Sequence, residues 1–173
     1  MTRVAHEQQR ADPCAPQHRG PSLLDTDDSW PQPQSQPSGA LRCIVTGMEH
    51  TGTTVTSELI MSAPGLIGAF ETGFLLAPTP GEFALVHPWY SWLNYSTATG
   101  SLGLHEPQVS ELLASASHAA MYEYVMRASP LARGSRQYVD KTPRYYTQLA
   151  AVMDRAPGVP VVHALVERNA RRQ

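Results

Sequence analysis

Apolar residues show no regular arrangement along this chain until residue 40. Residues 1–39 are rich in Pro, Gln, Ser and Asp and end in the run WPQPQSQPSG. Such a stretch buries too little apolar surface to offset its chain entropy, and a disordered leader is expected there. From Ala40 short apolar runs alternate with helical periods, the signature of a parallel α/β sheet. Leu41 to Thr46 (LRCIVT) is expected as a first strand and Gly47 to Gly52 as a tight loop. A helix should follow, with Val55, Leu59, Ile60 and Ala63 on its buried face and Pro64 at its end. Leu66 to Phe70 is a candidate short strand, weakened by Gly68. Val109, Leu112, Leu113, Ala116 and Ala120 recur at spacings of three and four, predicting one amphipathic helix over Pro107 to Arg127. Gln137 to Val139 reads as a brief strand. Thr142 as N-cap and Pro143 at the first helical position then open a helix whose buried face is Tyr146, Leu149, Ala150 and Met153. Pro160 to Val166 (PVVHALV) is a nearly continuous apolar run, expected as a strand covered on both sides. The expected fold is α/β: a three-layer phosphate-loop-type domain with a central parallel sheet over residues 40–173, truncated at its C-terminus.

Between Thr72 and Glu106 the pattern is too irregular to assign. Trp89, Tyr90, Trp92 and Tyr95 stand there among Pro and Gly. They suit either a substrate wall or an aromatic patch on the core, and the patch is the plainer expectation.

Composition narrows the class. The chain has 173 residues, a hydrophobic fraction of 42% and a formal net charge of −2, which suits one soluble domain with its own core and gives nucleic acid no support as a partner. No apolar run approaches the roughly 18 residues that span a bilayer, and the opening MTRVAHEQQRADPC lacks the apolar stretch of a secretory signal. A cytoplasmic protein without a membrane segment is expected. Two cysteines, Cys14 in the leader and Cys43 in the first strand, argue against a disulfide framework or a zinc site. Of the thirteen basic residues twelve are Arg, and the remaining one is Lys141. Chance is one explanation. The other is that Lys141 sits where a compact, mobile point charge is needed rather than a planar fork.

The strongest local signal is Gly47-Met48-Glu49-His50-Thr51-Gly52-Thr53-Thr54, after a strand and before a helix. Its spacing is that of the phosphate loop G-x-x-x-x-G-K-[ST], with Thr53 in place of the lysine. Glycines at both ends let the backbone turn, and the amides of the following helix point at an anion. Without that lysine, and without an obvious magnesium carboxylate, a kinase or triphosphatase is disfavoured. A 5′-phosphate carrying no further phosphate chain still fits.

G-x-x-x-[ST]-G-T-T after a first strand resembles the 5′-phosphosulfate loop of sulfotransferases that use 3′-phosphoadenosine-5′-phosphosulfate (PAPS). Downstream, Asp140-Lys141-Thr142-Pro143 begins a helix, and Val161 to Val166 leads into Arg168-Asn169-Ala170-Arg171. That order is similar to the family's transition-state lysine and 3′-phosphate arginine. The resemblance covers Leu41 to Arg171 and is to the N-terminal portion of bacterial-type members. Glu71, in A-F-E-T-G, is similar in placement to the base of the tyrosyl-protein branch. Two departures stand out: His50 replaces the usual Arg or Lys before [ST]-G-T-T, and Pro143 stands where another branch has a histidine base.

The resemblance implies in-line transfer of a sulfuryl group from PAPS, as co-substrate, to a hydroxyl or amine, with no metal. Backbone amides of His50 to Thr54 would hold the 5′-phosphate, helped by the Thr53 and Thr54 hydroxyls, with Gly47, Thr51 and Gly52 shaping the loop. Lys141 would neutralise the leaving oxygen, Glu71 or His50 would take the acceptor proton, and Arg168 would bind the 3′-phosphate. Asp140 is expected to be a helix cap. The acceptor is open among small molecules, carbohydrate and protein. Alternatives are a catalytically inactive nucleotide-binding fragment of such an enzyme and, last, a phosphate-loop kinase.

Overall fold

A computed structural model of the chain describes residues 39–94 and 102–165. The leader up to residue 38, Cys14, Tyr95, Val166 and the Arg168 to Arg171 motif lie outside the described residues.

The first strand, β1 (Leu41–Gly47), is followed by α1 (Thr53–Met61), β2 (Leu66–Ile67), α2 (Trp89–Asn94), α3 (Glu106–Leu113), α4 (His118–Ala128), β3 (Gln137–Lys141), α5 (Leu149–Arg155) and β4 (Val161–Ala164). The four strands form one all-parallel sheet in the order β2-β3-β1-β4. Strand β1 is therefore central, as its apolar run requires, and Ile44 and Val45 are fully buried.

Successive side chains on a strand point to opposite faces, and two apolar clusters result. On one face Cys43 and Val45 of β1 meet Val139 of β3 beneath Ile60 and Met61 of α1. On the other Ile44 joins a larger core around Phe74, Phe83, Leu112, Tyr122 and Tyr138, supplied by α3, α4 and the 3₁₀ turns Phe74–Leu76 and Gly81–Leu85. Helices thus flank the sheet on both sides.

Several helical faces differ from the expected ones. In α1 the buried residues are Thr53 and Ser57, whereas Val55 and Leu59 are 69% and 74% exposed. The loop fixes where α1 begins, and Thr53 packs with its Cγ2 toward Gly47, so the stripe toward the sheet starts at Thr53 and the apolar pair turns outward. Pro107 to Arg127 is two helices, not one. Ser117 breaks the run by capping α4, its hydroxyl accepting from the Ala120 amide at 3.2 Å, and Ala116 is exposed. After Pro143 the chain forms a 3₁₀ turn, Pro143–Gln148, before α5. That tighter winding shifts the register by one, burying Tyr145 and Val152 and leaving Tyr146 and Met153 exposed. Strand β2 stops at Ile67, short of the expected Phe70. Among the described residues strand β4 pairs only with β1, and Val162 in it and Leu165 after it are exposed rather than covered on both sides.

His118 opens α4 almost fully buried, with Nε2 lacking a hydrogen-bond partner. Burial first, and the Arg155 guanidinium second, push its ring below the ordinary imidazole value of 6.5, against weaker support from the Ala77 and Phe74 backbone. The unfolded chain therefore binds a proton that the fold excludes, so this contribution is complete above pH 6.5 and is lost as pH falls toward the depressed native value. Urea unfolding at pH 8 and pH 5.5 is expected to show lower stability at the acid end, with a smaller difference between the two in His118→Gln.

Candidate functional site

All four strands run in one direction, so their carboxyl ends share one edge, where ligands bind in open parallel sheets. Gly47 ends β1 there, Lys141 ends β3 beside it in register with Val45, and Ala164 of β4 pairs with Gly47 on the other side. The sequence signals at Gly47 and Lys141 thus meet on adjacent strands.

The loop after β1 is tightly wound. The Thr51 amide and hydroxyl both donate to the Met48 carbonyl, at 3.2 and 2.7 Å, and Gly52 enters α1 with φ of +84°. Gly47 admits no side chain: a Cβ there would lie 2.4 Å from the Ala164 carbonyl oxygen. His50 adopts φ of +65°, unusual for a residue with a Cβ. Its side chain is exposed, as is that of Thr54, while Thr53 is buried.

Lys141 is 5% exposed, and Nζ lies 3.2 Å from Oε1 of Glu71, itself 16% exposed. The ammonium also sits 4.4 Å from the centroid of the Phe70 ring. A side chain held this way is compact and nearly dry, with the carboxylate and the ring as its partners. Glu71, Phe70, His50, Thr53, Thr54, Trp89 and Trp92 line a cavity of about 630 Å³. Glu71 and His50 therefore line the same cavity, and Lys141 is joined to it through Glu71. Trp89 and Trp92 line the cavity, and Trp89 and Tyr90 both pack against the core. Arg144, Glu49, His87, Pro88 and Pro143 also line it, and Arg144, Glu49 and His87 did not stand out in the sequence.

What holds Glu71 is a second cluster, behind the sheet edge. Asp140 is fully buried in β3 and caps no helix. Its Oδ2 accepts from the Tyr122 hydroxyl and from the Tyr145 hydroxyl at 2.7 Å, and its Oδ1 accepts from the Thr142 hydroxyl at 2.8 Å. Burial raises the Asp140 carboxyl above the usual range and these donors pull it back; the same burial and the nearby carboxylate hold both phenols well above their ordinary value. Thr72 lies beside the same carboxylate, buried, without a hydrogen bond of good geometry.

The donors also act as acceptors. Thr142 Oγ1 receives the Gly73 amide at 3.1 Å, the Tyr145 hydroxyl receives the Leu75 amide at 3.1 Å, and the Tyr138 hydroxyl receives the Ala69 amide at 3.0 Å. Residues 69–75, with Glu71 in the middle, hang from three hydroxyls around Asp140. Gly73, at φ of +67°, lets Trp89 lie directly on the backbone, where a Cβ would be 2.5 Å from Trp89 Cγ. One sequence signal for this cluster was available: Tyr138 and Asp140, two apart on a strand, share a face, and Lys141 takes the opposite one.

Among the described residues no group of three or more His, Cys, Asp or Glu is placed to hold a metal ion, and no helix is long and apolar enough to cross a membrane. No family model, curated protein or solved structure matches the chain.

Asp140→Asn replaces one accepting oxygen by a donating amide, so at least one of the three hydroxyls loses its acceptor. A loss of about 1–3 kcal/mol is expected in urea unfolding. Faster hydrogen exchange at the Gly73 and Leu75 amides is expected to accompany it, while amides of α1 stay protected relative to the global stability.

Proposed function

We propose that this chain is a sulfotransferase that moves a sulfuryl group from PAPS to a hydroxyl or amine. The observation that carries the reading is that His50 and Glu71 line one cavity at the sheet edge and that Lys141 is paired with Glu71 there. The phosphate-loop-type assignment of the fold and the family resemblance stand with that reading. Arg168, the proposed 3′-phosphate ligand, lies outside the described residues.

On this reading the amides opening α1 receive the 5′-phosphate, where the helix dipole favours an anion. The acceptor oxygen attacks sulfur in line, the bond from sulfur to the leaving phosphate oxygen breaks, and the acceptor proton passes to Glu71. Lys141 stands against Glu71 before transfer and neutralises the departing oxygen during it, the kind of preorganised charge that lowers a barrier most. The pair must part for both roles to be filled. An ammonium on a flexible stem makes that short move, and a planar guanidinium wedged between Phe70 and Glu71 does not. The kinase reading has less support, because Thr53 stands buried where a reaching lysine is required.

Calorimetric titration is expected to show tighter binding of adenosine 3′,5′-bisphosphate than of ATP, with no requirement for magnesium; tighter, magnesium-dependent binding of ATP sinks the proposal. In a sulfuryl-transfer assay Lys141→Ala is expected to lower turnover on the order of 100-fold with little change in nucleotide affinity, and Lys141→Arg to restore only part of it. Turnover within a few-fold of the parent in both variants removes Lys141 from the chemistry.

A further inference from the structure

Arg144 is the second residue of the 3₁₀ turn Pro143–Gln148, which follows the carboxyl end of β3. Both of its neighbours are buried and fixed. The hydroxyl of Thr46, on the central strand, donates to the Pro143 carbonyl at 2.8 Å. The Tyr145 hydroxyl donates to Asp140 at 2.7 Å, and the Tyr145 amide donates to the Thr142 carbonyl at 3.2 Å. The backbone of Arg144 is therefore held where β1 and β3 end side by side. Its side chain is exposed and, among the described residues, makes no hydrogen bond, ion pair or ring contact. The fold uses other arginines: Arg155 donates to the Leu75 carbonyl, and Arg127 lies 5.2 Å from the centroid of the Tyr124 ring. A fixed backbone that carries an uncommitted guanidinium on a cavity lining suits a ligand-binding arm.

The charges around the cavity define what such an arm receives. Among the described residues its lining holds two carboxylates, Glu49 and Glu71, and one guanidinium, Arg144. Lys141 is paired with Glu71 and offsets it, which leaves Arg144 to offset Glu49. Without Arg144 the lining would carry an unbalanced negative charge and repel an anion. An anion that approached Lys141 would compete with a carboxylate 3.2 Å away, whereas Arg144 has no competitor. Thr53 stands where a phosphate loop carries its lysine and is buried, so the loop supplies no lysine or arginine of its own. A planar guanidinium presents two parallel N–H donors that match two oxygens of a tetrahedral oxyanion.

We propose that Arg144 is an oxyanion-binding residue of this cavity, its guanidinium holding two oxygens of a phosphate or sulfuryl group seated against the loop after β1. That the group is the 5′-phosphosulfate of the donor rests on the sulfotransferase reading. Binding of an oxyanion through Arg144 rests on the cavity alone.

Calorimetric titration of the chain at low ionic strength with inorganic pyrophosphate and with adenosine 3′,5′-bisphosphate tests it. Saturable 1:1 binding of both is expected. Arg144→Gln is expected to weaken each by about 10-fold or more, the worth of charge-assisted hydrogen bonds to an anion. Arg144→Lys keeps the charge without the fork and is expected to restore only part of the affinity. Arg133→Gln removes an exposed arginine that precedes β3, at the opposite edge of the sheet, and is expected to leave both ligands within about two-fold of the parent, since salt screens a charge so far away. Thermal unfolding establishes that the variants fold, as substitution of an exposed, unpartnered side chain allows. No saturable binding of either ligand, unchanged affinity in Arg144→Gln, or an equal loss in Arg133→Gln overturns the proposal. Pyrophosphate binding that depends on Arg144, with the bisphosphate bound no more tightly than pyrophosphate, supports the oxyanion site and defeats the sulfotransferase reading. Bisphosphate binding that is tighter than that of ATP and unchanged in Arg144→Gln does the reverse.

Discussion

A carboxylate taken out of water costs several kcal/mol unless donors surround its oxygens, and Asp140 sits at the centre of the fold under that constraint. Tyr122 from α4, Tyr145 from the turn after β3, and Thr142 next to β3 all turn their hydroxyls inward to meet it. A hydroxyl that donates one way still accepts the other way. Thr142 and Tyr145 accept the Gly73 and Leu75 amides, so the demand of one buried charge becomes the attachment of the segment that carries Glu71. A satisfied network of this kind has few alternative arrangements, because each group that moved would leave another unpaired in the core.

The adjacent residue, Lys141, faces the other way. Strand geometry alone separates the two charges, sending Asp140 into the tyrosine cluster and Lys141 toward the loop and α1. Each then finds its own partners, and neither is available to the other. Lys141 has Glu71 at 3.2 Å and the Phe70 ring beneath it. The Asp140 network holds the backbone on which both of those partners ride. A structural carboxylate on one face thereby sets the geometry of an ionic pair on the opposite face.

The aromatic wall extends the same logic outward. Trp89 rests on Gly73, within the suspended segment, and contacts Trp92, which in turn contacts Phe70. Polar attachment from behind and ring contact from in front fix residues 69–75 on two sides. The cavity between this wall and the loop after β1 thus has one boundary set by hydrogen bonds to side chains and another set by the winding of the backbone at Gly47 and Gly52.

The features that the amino-acid sequence by itself determined are those written in contiguous residues. The alternation of apolar runs with helical periods specified a parallel α/β sheet, the run LRCIVT specified a central strand, and the glycines at 47 and 52 specified a tight loop between strand and helix. Placement of Lys141 at a strand end followed from the same local reading, whereas Glu71 lies past the end of β2, which stops at Ile67. Tertiary structure decided what depends on which surface each element meets. Val55 and Leu59 have helical spacing, yet the start of α1 at Thr53 turns them to solvent; Tyr146 and Met153 were displaced by Tyr145 and Val152 because a 3₁₀ turn precedes α5. The role of Asp140 was hidden for a different reason. A carboxylate before a Thr-Pro step has the local pattern of a cap, and only the arrival of Tyr122 from 18 residues away, and of the Gly73 amide at Thr142 from 69 residues away, makes it the hub. Periodicity reports which residues share a face, whereas burial depends on partners brought from elsewhere in the chain, and no local pattern names those partners.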